Sequence, residues 1–398
     1  MQEIVASLGK EIHGNPSSPH GAGRAASVLI TEARRAVAQS LGADVGEIIF
    51  VSGGSEANNL CTAGVLRAQN SSQCHAIMSA VEHPSVREPL EYYFSQEQNR
   101  APENLQILNV DSDGRLNLEQ IIAALKPTTR LVTIMVANNE TGTCQPVKEF
   151  AQWLHDVRWV KDPRYFELPN DLTIEILREL HFHVDAVQAW GKIPASEWFL
   201  PGVDSCSMSA HKLGGLSGIG ALCLRRGRRF QPAIRGGAQE RSRRAGTENL
   251  IGILSMGIVA GQIQLPQWWQ KVENTSALLQ KLYIELSGLP GVLFNTPKDN
   301  RLPNTLNFCV EPAAAKVTGE DILMELDMQG IAASSGSACS SGANLPSKII
   351  AAQGRSALLA RNAIRLSLGM QTSVADVEQC IQALQQIFGI APKSCMAP

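Results

Sequence analysis

The sequence predicts an α/β protein: a larger part built on a mainly parallel sheet flanked by helices, followed by a smaller α+β domain. Three observations carry this. Short apolar runs alternate with helix-like stretches through the first two thirds of the chain, the pattern of repeated strand–helix–strand units. One run, Arg130 to Val136, is almost wholly apolar, as a strand buried on both faces must be. After about residue 262 the pattern changes to long helices and shorter strands.

Taken in order, Glu47 to Val51 reads as a strand that runs into Ser52-Gly53-Gly54-Ser55, with a helix from Glu56. Ala76 to Ser79 is a second strand and Arg130 to Val136 a third. Phe182-His183-Val184, Ser205 to Met208 and Gly220 to Leu224 follow. Strands separated by helices imply right-handed crossovers, and ligands gather at the carboxyl ends of such strands. Residues 1–262 are therefore expected to form the large domain. Residues 263–398 form the small one, with a helix from Trp268 to Leu286, a strand from Thr305 to Cys309, a helix from near Asp321 and a closing helix from Val374 to Phe388. The small-residue run Ala332 to Gly342 reads as a mobile loop.

The 398 residues are 44% hydrophobic and 18% charged, enough for a large core in a soluble protein. A net charge of −2 gives no electrostatic case for nucleic acid or an anionic membrane surface. The basic run Arg225 to Arg229 reads as a solvated turn after a strand. No run reaches the ~18 apolar residues that span a bilayer. Met1 to Lys10 lacks the features of a secretory signal. The nine cysteines show no CxxC pair and no metal-ligand spacing. They read as reduced thiols of a cytoplasmic protein, most of them inert in the core.

Two strand ends carry the chemistry. His183-Val184-Asp185-Ala186-Val187-Gln188 closes one apolar run, and Ser209-Ala210-His211-Lys212 closes the next. An acid and a lysine so placed suit pyridoxal 5'-phosphate (PLP): the carboxylate pairs with the ring nitrogen and the lysine holds the aldehyde. A helix cap for Asp185 and a surface charge for Lys212 are the plain alternatives. Ser52-Gly53-Gly54-Ser55, between a strand and a helix, is a phosphate cradle, to which Ser209 and His211 can add donors. His83 follows the second strand and can stack on a flat ring and move protons, or be a polar turn residue. Asn138-Asn139-Glu140-Thr141-Gly142 and Gln188 offer amides to a phenolic oxygen. Cys339 lies in the small-residue loop, where a thiol is nucleophilic if exposed beside cations. Arg365, alone in an apolar run, calls for a partner: a substrate carboxylate or a structural acid.

Together these motifs resemble the cysteine desulfurases, the NifS/IscS-type branch of the PLP fold type I enzymes in the class-V aminotransferase group. The signatures are Val81-Glu82-His83, Asn138 to Gly142, His183 to Gln188, Ser209 to Lys212, Arg244 to Asn249 and Ser335 to Cys339. The likeness runs from Gly14 to about Gly369. It implies a seven-stranded sheet and a homodimer. It implies that Lys212 is the Schiff-base lysine, that Asp185 pairs the ring nitrogen and that His83 stacks on the ring. Asn139 and Gln188 meet the phenolic oxygen. Gly54, Ser55, Ser209 and His211 hold the phosphate, with Thr247 from the partner subunit. Arg365, with Asn139, binds the substrate. Cys339 accepts sulfur from L-cysteine as a persulfide, alanine leaves, and the sulfur passes to an acceptor such as an iron–sulfur scaffold or to thiolation. No intrinsic metal is implied, though Cys339 can transiently ligate a cluster.

The sequence departs from that pattern twice. It starts at Met1-Gln2-Glu3, beyond the family's opening strand and Asp-x-x-Ala-Thr-Thr motif, so the segment is expected to be truncated or absent. The connection of about residues 156–180 is longer than usual, and Arg158 to Phe166 reads as an inserted surface excursion. A selenocysteine lyase acting on L-selenocysteine, or an inactive homologue serving as a scaffold, are the rival readings.

Overall fold

A computed structural model describes residues 14–69, 73–98, 100–160, 168–169, 171–335 and 346–390. By internal contacts the chain divides into two units. The first is Met1–Leu108, Leu116–Val136 and Pro146–Trp268; the second is Asn109–Arg115, Ala137–Gln145 and Trp269–Pro398.

The first unit is built on seven strands: β1 (Ile48–Val51), β2 (His75–Ser79), β3 (Leu105–Leu108), β4 (Thr129–Met135), β5 (His181–Asp185), β6 (Ser205–Ser209) and β7 (Gly220–Leu224). Their order is β1-β7-β6-β5-β4-β2-β3. The pairs β2–β3, β2–β4, β4–β5 and β5–β6 are parallel, and β7 runs antiparallel to both β6 and β1. The helices used below are α1 (Gly21–Leu41), α2 (Gly54–Arg67), α3 (Pro84–Tyr93), α4 (Val147–His155), α5 (Ile174–Glu179) and α6 (Leu250–Ile263). The mainly parallel α/β sheet is the one expected. Strand β3 is an addition to the sequence reading: its run Leu-Gln-Ile-Leu is short and half-exposed, as suits an edge.

Strands β5 and β6 differ from the others. They are buried along their length, yet read His-Phe-His-Val-Asp and Ser-Cys-Ser-Met-Ser. Side chains alternate across a strand. Phe182 accordingly packs edge-on against Phe150 of α4, with centroids 4.8 Å apart. His181 and His183 take the opposite face and meet Cys61 and Asn58 of α2. The middle of the sheet therefore has one apolar face and one polar face, each covered by a helix.

Asp204, just before β6, is the hub of a buried ion cluster. Its carboxylate meets the Arg158 guanidinium at 3.2 Å through both oxygens and Arg228 Nη2 at 2.6 Å, and it accepts the Phe182 N–H at 2.7 Å. Arg158 also donates to the carbonyls of Leu177 and Leu180. Two expectations are corrected here. Arg158 belongs to no surface excursion: it sits in a π-helical turn, Asp156–Val160, and is fully buried. Nor is the basic run a solvated turn throughout. Arg228 is drawn in by Asp204, and Arg225 lies 4.1 Å over the Phe199 ring. Trp159, by contrast, is exposed. The physical reason is that a buried carboxylate needs cations close by, and they come from sequence-distant segments.

The second unit holds a four-stranded antiparallel sheet in the order β10-β11-β9-β8: β8 (Val292–Phe294), β9 (Thr305–Val310), β10 (Ser334–Ser335) and β11 (Ala363–Ser367). Its helices include α7 (Pro266–Leu286), α8 (Gly319–Met328), α9 (Lys348–Ala352) and α10 (Val374–Ile387). The last begins with a capping box between Ser373 and Asp376. Leu306, Phe308, Ile364 and Leu366 of the sheet share a core with Leu282, Leu286, Ile381 and Leu384. The start of the small-residue run is strand rather than loop, since Ser334 and Ser335 pair with Arg365 and Ile364. Residues 336–345, with Cys339, lie outside the described residues, as do residues 1–13. Among the described residues no single helix is long and apolar enough to cross a membrane.

Asp204→Asn should destabilise the protein by about 3–5 kcal/mol, because a buried guanidinium and a half-buried one lose their counter-charge. Urea unfolding followed by circular dichroism checks this; a loss below 1 kcal/mol contradicts the ion-cluster account.

Candidate active site

In the first unit the candidate side chains stand where strands end. Asp185 closes β5. Its Oδ1 accepts the Val187 N–H at 2.9 Å and its Oδ2 the Asn58 Nδ2–H at 2.8 Å. His83 follows β2 as the N-cap of α3, with Pro84 next, an arrangement that suits a helix start. Its Nδ1 accepts the Ser85 N–H at 3.1 Å, so the ring proton of neutral His83 sits on Nε2. Burial lowers the pKa of His83 and the Lys212 charge adds to this, while Asp185 opposes it. The imidazole is thus favoured neutral, able to take a proton at neutral pH.

Lys212 lies in the 3-10 turn Ala210–Leu213 that follows β6 and is exposed. Ser209 Oγ and His211 Nδ1 are 2.8 Å apart beside it. Gly53 and Gly54 open α2, whose first turn has no side-chain cap. A Cβ on Gly54 would stand 2.5 Å from Val187 Cγ2, and one on Gly220 would stand 2.7 Å from Gly53 Cα. A Cβ on Gly53 would meet only Ser209 Oγ, at 4.0 Å. The bare start of α2 is therefore packed close on one side and open toward Ser209. Ser55 is exposed in the same turn. Gln188 accepts from Lys192 Nζ at 2.9 Å. Thr247 is exposed and lines a cavity of about 240 Å3 with Ser52, Gly218 and Arg244. Arg244 is held by Glu56 at 2.7 Å.

The second unit brings Asn139 and Arg365 together: Arg365 Nη1 donates to the Asn139 carbonyl at 2.9 Å, from the middle of β11. Arg365 Nε is buried with no hydrogen-bond partner. The neighbouring Glu140 carboxylate accepts from Ser347 Oγ at 2.6 Å. Burial raises its pKa to about 7, against the pull of Ser347 and Arg365.

Two residues escape the sequence reading, and a third, Glu82, enters it only inside a motif. Asn58 touches both Asp185 and Ser85. Ser85 Oγ reaches His83 Nδ1 at 2.8 Å. Glu82 is fully buried, its Oε1 accepting the Met135 N–H at 2.7 Å. The one available signal was alternation: His-x-His-x-Asp and Ser-x-Ser-x-Ser place six polar side chains on one face of a buried sheet, and some residue of the covering helix must answer them.

Burial raises Glu82 well above the ordinary 4.5, and the Asp185 charge adds to this. Glu82 therefore keeps its proton to higher pH in the fold than in the unfolded chain. It favours folding below about pH 4.5, and that contribution is lost as pH rises toward the folded value. Glu82→Gln keeps the acceptor and removes the titration. The variant should gain stability relative to the parent between pH 5 and pH 8, by up to about 1.4 kcal/mol per pH unit. Parallel unfolding midpoints across that range check the sign; equal pH slopes would show that Glu82 does not titrate as described.

The donor set fits PLP: an uncapped helix start with Ser209 and His211 for the phosphate, an acid for the ring nitrogen, a lysine for the aldehyde. The unpartnered Arg365 Nε suits a carboxylate ligand. Comparison with known proteins agrees. The sequence model of the aminotransferase class-V family matches residues 1–160 and 172–380, and the chain belongs to that family. Within it, the likeness is to cysteine desulfurases, and desulfurase function is what these relatives support. The chain is 37% identical to cysteine desulfurase IscS of Dictyoglomus turgidum, over 98% of this chain and 91% of that protein. It is 36% identical to cysteine desulfurase NifS of Azotobacter vinelandii, over 95% and 86%. A solved NifS-like protein superposes with a TM-score of 0.81 at 29% identity, covering 98% of this chain and 94% of that one.

Proposed function

We propose that the chain is a PLP-dependent cysteine desulfurase, acting on L-cysteine in the cytoplasm as a homodimer and handing sulfur to an acceptor protein. The observation that carries this is the meeting of Asp185, His83 and Lys212 at the ends of β5, β2 and β6, beside the bare start of α2. PLP bound there supplies an aldehyde for the substrate amine and a ring that withdraws electrons from the substrate Cα.

The chain's own residues do the rest. Gly54, Ser55, Ser209 and His211 hold the phosphate, with Thr247 donated by the second copy. Asp185 accepts from the ring nitrogen, His83 covers the ring face, and Gln188 and Asn139 donate to the phenolic oxygen. Arg365 takes the substrate carboxylate through two parallel N–H donors, and Asn139 helps to place the substrate. Lys212 Nζ removes the Cα proton. The Cys339 thiolate attacks the substrate sulfur: an S–S bond forms, the Cβ–S bond breaks, and its electron pair stays on the carbon fragment. That fragment gains protons and leaves as alanine, with a persulfide on Cys339. The acceptor that fits this chemistry is a thiol-bearing iron–sulfur scaffold or a thiolation partner.

Release of alanine and sulfide in equal amounts from L-cysteine, with PLP and a thiol reductant, tests the reading. Turnover of L-selenocysteine alone would make the protein a selenocysteine lyase, and bound cofactor without turnover would make it a scaffold. Cys339→Ala should keep the yellow cofactor and lose sulfide release, and Lys212→Ala should lose the visible band of the loaded protein. Arg365→Leu should raise KM for cysteine by about 10- to 100-fold, the worth of one or two charge-assisted hydrogen bonds, with cofactor affinity within threefold of the parent. Steady-state kinetics and cofactor titration separate the two quantities.

A further inference from the structure

Behind Asp185 the polar face of β5 and β6 forms a continuous hydrogen-bonded line. Asn58 Nδ2 lies 2.8 Å from Asp185 Oδ2, and Asn58 Oδ1 lies 3.0 Å from His183 Nε2. His183 Nδ1 is 2.8 Å from Ser205 Oγ. Ser205 Oγ is 2.7 Å from His181 Nε2 and 3.2 Å from Cys61 Sγ. Asn58, His183, Ser205 and Cys61 are each 1% exposed or less.

The valences fix the direction of every link. Asp185 Oδ2 and Ser85 Oγ both lie on Asn58 Nδ2, at 2.8 and 2.9 Å, so the amide spends its two protons there and turns its oxygen to His183. That oxygen only accepts, so His183 must carry its proton on Nε2. Burial takes the pKa of His183 down to about 3, with His181 adding to the shift, so the ring holds a single proton. Its Nδ1 must then accept from the Ser205 hydroxyl. Ser205, its one proton spent, accepts in turn from His181 Nε2–H and from the Cys61 thiol. Burial also holds His181 neutral, down to about 4, and pushes the Cys61 thiol up to about 12. Apart from the second Asn58 N–H, which goes to Ser85, every donor points the same way, toward the carboxylate.

We propose that Asn58 is a positioning residue for Asp185: its amide turns a one-way line of neutral donors, His181 to Ser205 to His183, onto the carboxylate that meets the cofactor's ring nitrogen. The charged and titratable groups around this line are few. Asp185 faces Glu82 and His83 after β2, and Lys212 after β6 acts on His83. His181 faces Asp204, Arg158 and Arg228. None of them interrupts the line between Ser205 and Asp185. The inference rests on the reading that PLP binds at Asp185, but the line itself belongs to the empty chain as well as the loaded one.

Two measurements test it, one of them independent of the cofactor. In protein labelled with 15N at histidine and free of PLP, the ring nitrogens of His183, assigned by loss of its signals in His183→Phe, should report a single Nε2–H form from pH 5 to 8. Ser205→Ala removes the donor to Nδ1, and Asn58→Leu removes the acceptor for Nε2–H. Asn58→Leu should give a mixture of the two ring forms; in Ser205→Ala the Asn58 oxygen still holds the proton on Nε2, and the Nδ1 signal alone should move. A His183 protonated on Nδ1, or ring signals unchanged in both variants, overturns the proposal. In the loaded protein, Asn58→Leu should weaken PLP binding at least tenfold and shift the pH midpoint of the visible band by at least half a unit. Ser205→Ala, further down the line, should shift that midpoint in the same sense by less. A merely structural role would lower the unfolding midpoint and leave the band where it was. Affinity within twofold and a midpoint within 0.2 units in both variants also overturns the proposal. Should Asn58→Leu fail to fold, Ser205→Ala and the parent ring signals decide. A parent protein that binds no PLP defeats the functional reading instead, and the ring signals still judge the line of donors.

Discussion

A polar surface inside a buried sheet is the constraint on which the first unit turns. Strands β5 and β6 put two imidazoles, a carboxylate and three hydroxyls on one face, and none of that face meets solvent. Leaving such groups unpaired costs about 1–3 kcal/mol each, so α2 must bring partners. It does so with Asn58 and Cys61, one turn apart on the same helix side. The same demand fixes α2 in register along the sheet, and with it the bare glycine start of that helix. The proposed phosphate cradle and the proposed ring acid are thus placed by one packing event.

Below this face, Asp204 performs a second alignment. It accepts the first peptide N–H of β5 after His181 while gathering Arg158 and Arg228. The charges are compensated inside a low-dielectric interior, where each guanidinium is held by carbonyls as well as by the acid. The result is that β5 and β6, the strands that end in Asp185 and lead to Lys212, are tied at their far ends too.

Much of this was legible in the sequence. The apolar runs gave the sheet class, and the acid and lysine at strand ends suggested the cofactor chemistry proposed above, because both follow from local composition and position. Position alone brought His83, Asn139 and Gln188 into view near strand ends and Arg365 as a lone charge in an apolar run, and the family resemblance added the role expected of each. What local reading missed has a common cause. Asn58, Arg158 and Arg228 are polar or charged residues in segments that look solvent-facing, and each is held by a partner between 22 and 127 positions away. No periodicity reports a partner that distant. Edge strand β3 escaped for a different reason: a half-exposed run of four residues has too little pattern to stand out.

The arginine anchors also bear on where this chain tolerates change of length. Residues 161–171 fall between the two stretches matched by the family. Before that gap, Arg158 is moored to the Leu177 and Leu180 carbonyls; after it, Arg178 donates back to the Arg158 carbonyl at 3.2 Å. The chain on either side of that gap is thus held by two reciprocal tethers, and Thr173 caps α5 after it. Closing a longer loop between fixed ends costs only about 0.6 kcal/mol per doubling. For a protein engineer that makes this junction a docking port: a tag, a fluorophore or a small domain spliced between the tethers would be borne by the fold without pulling on β5.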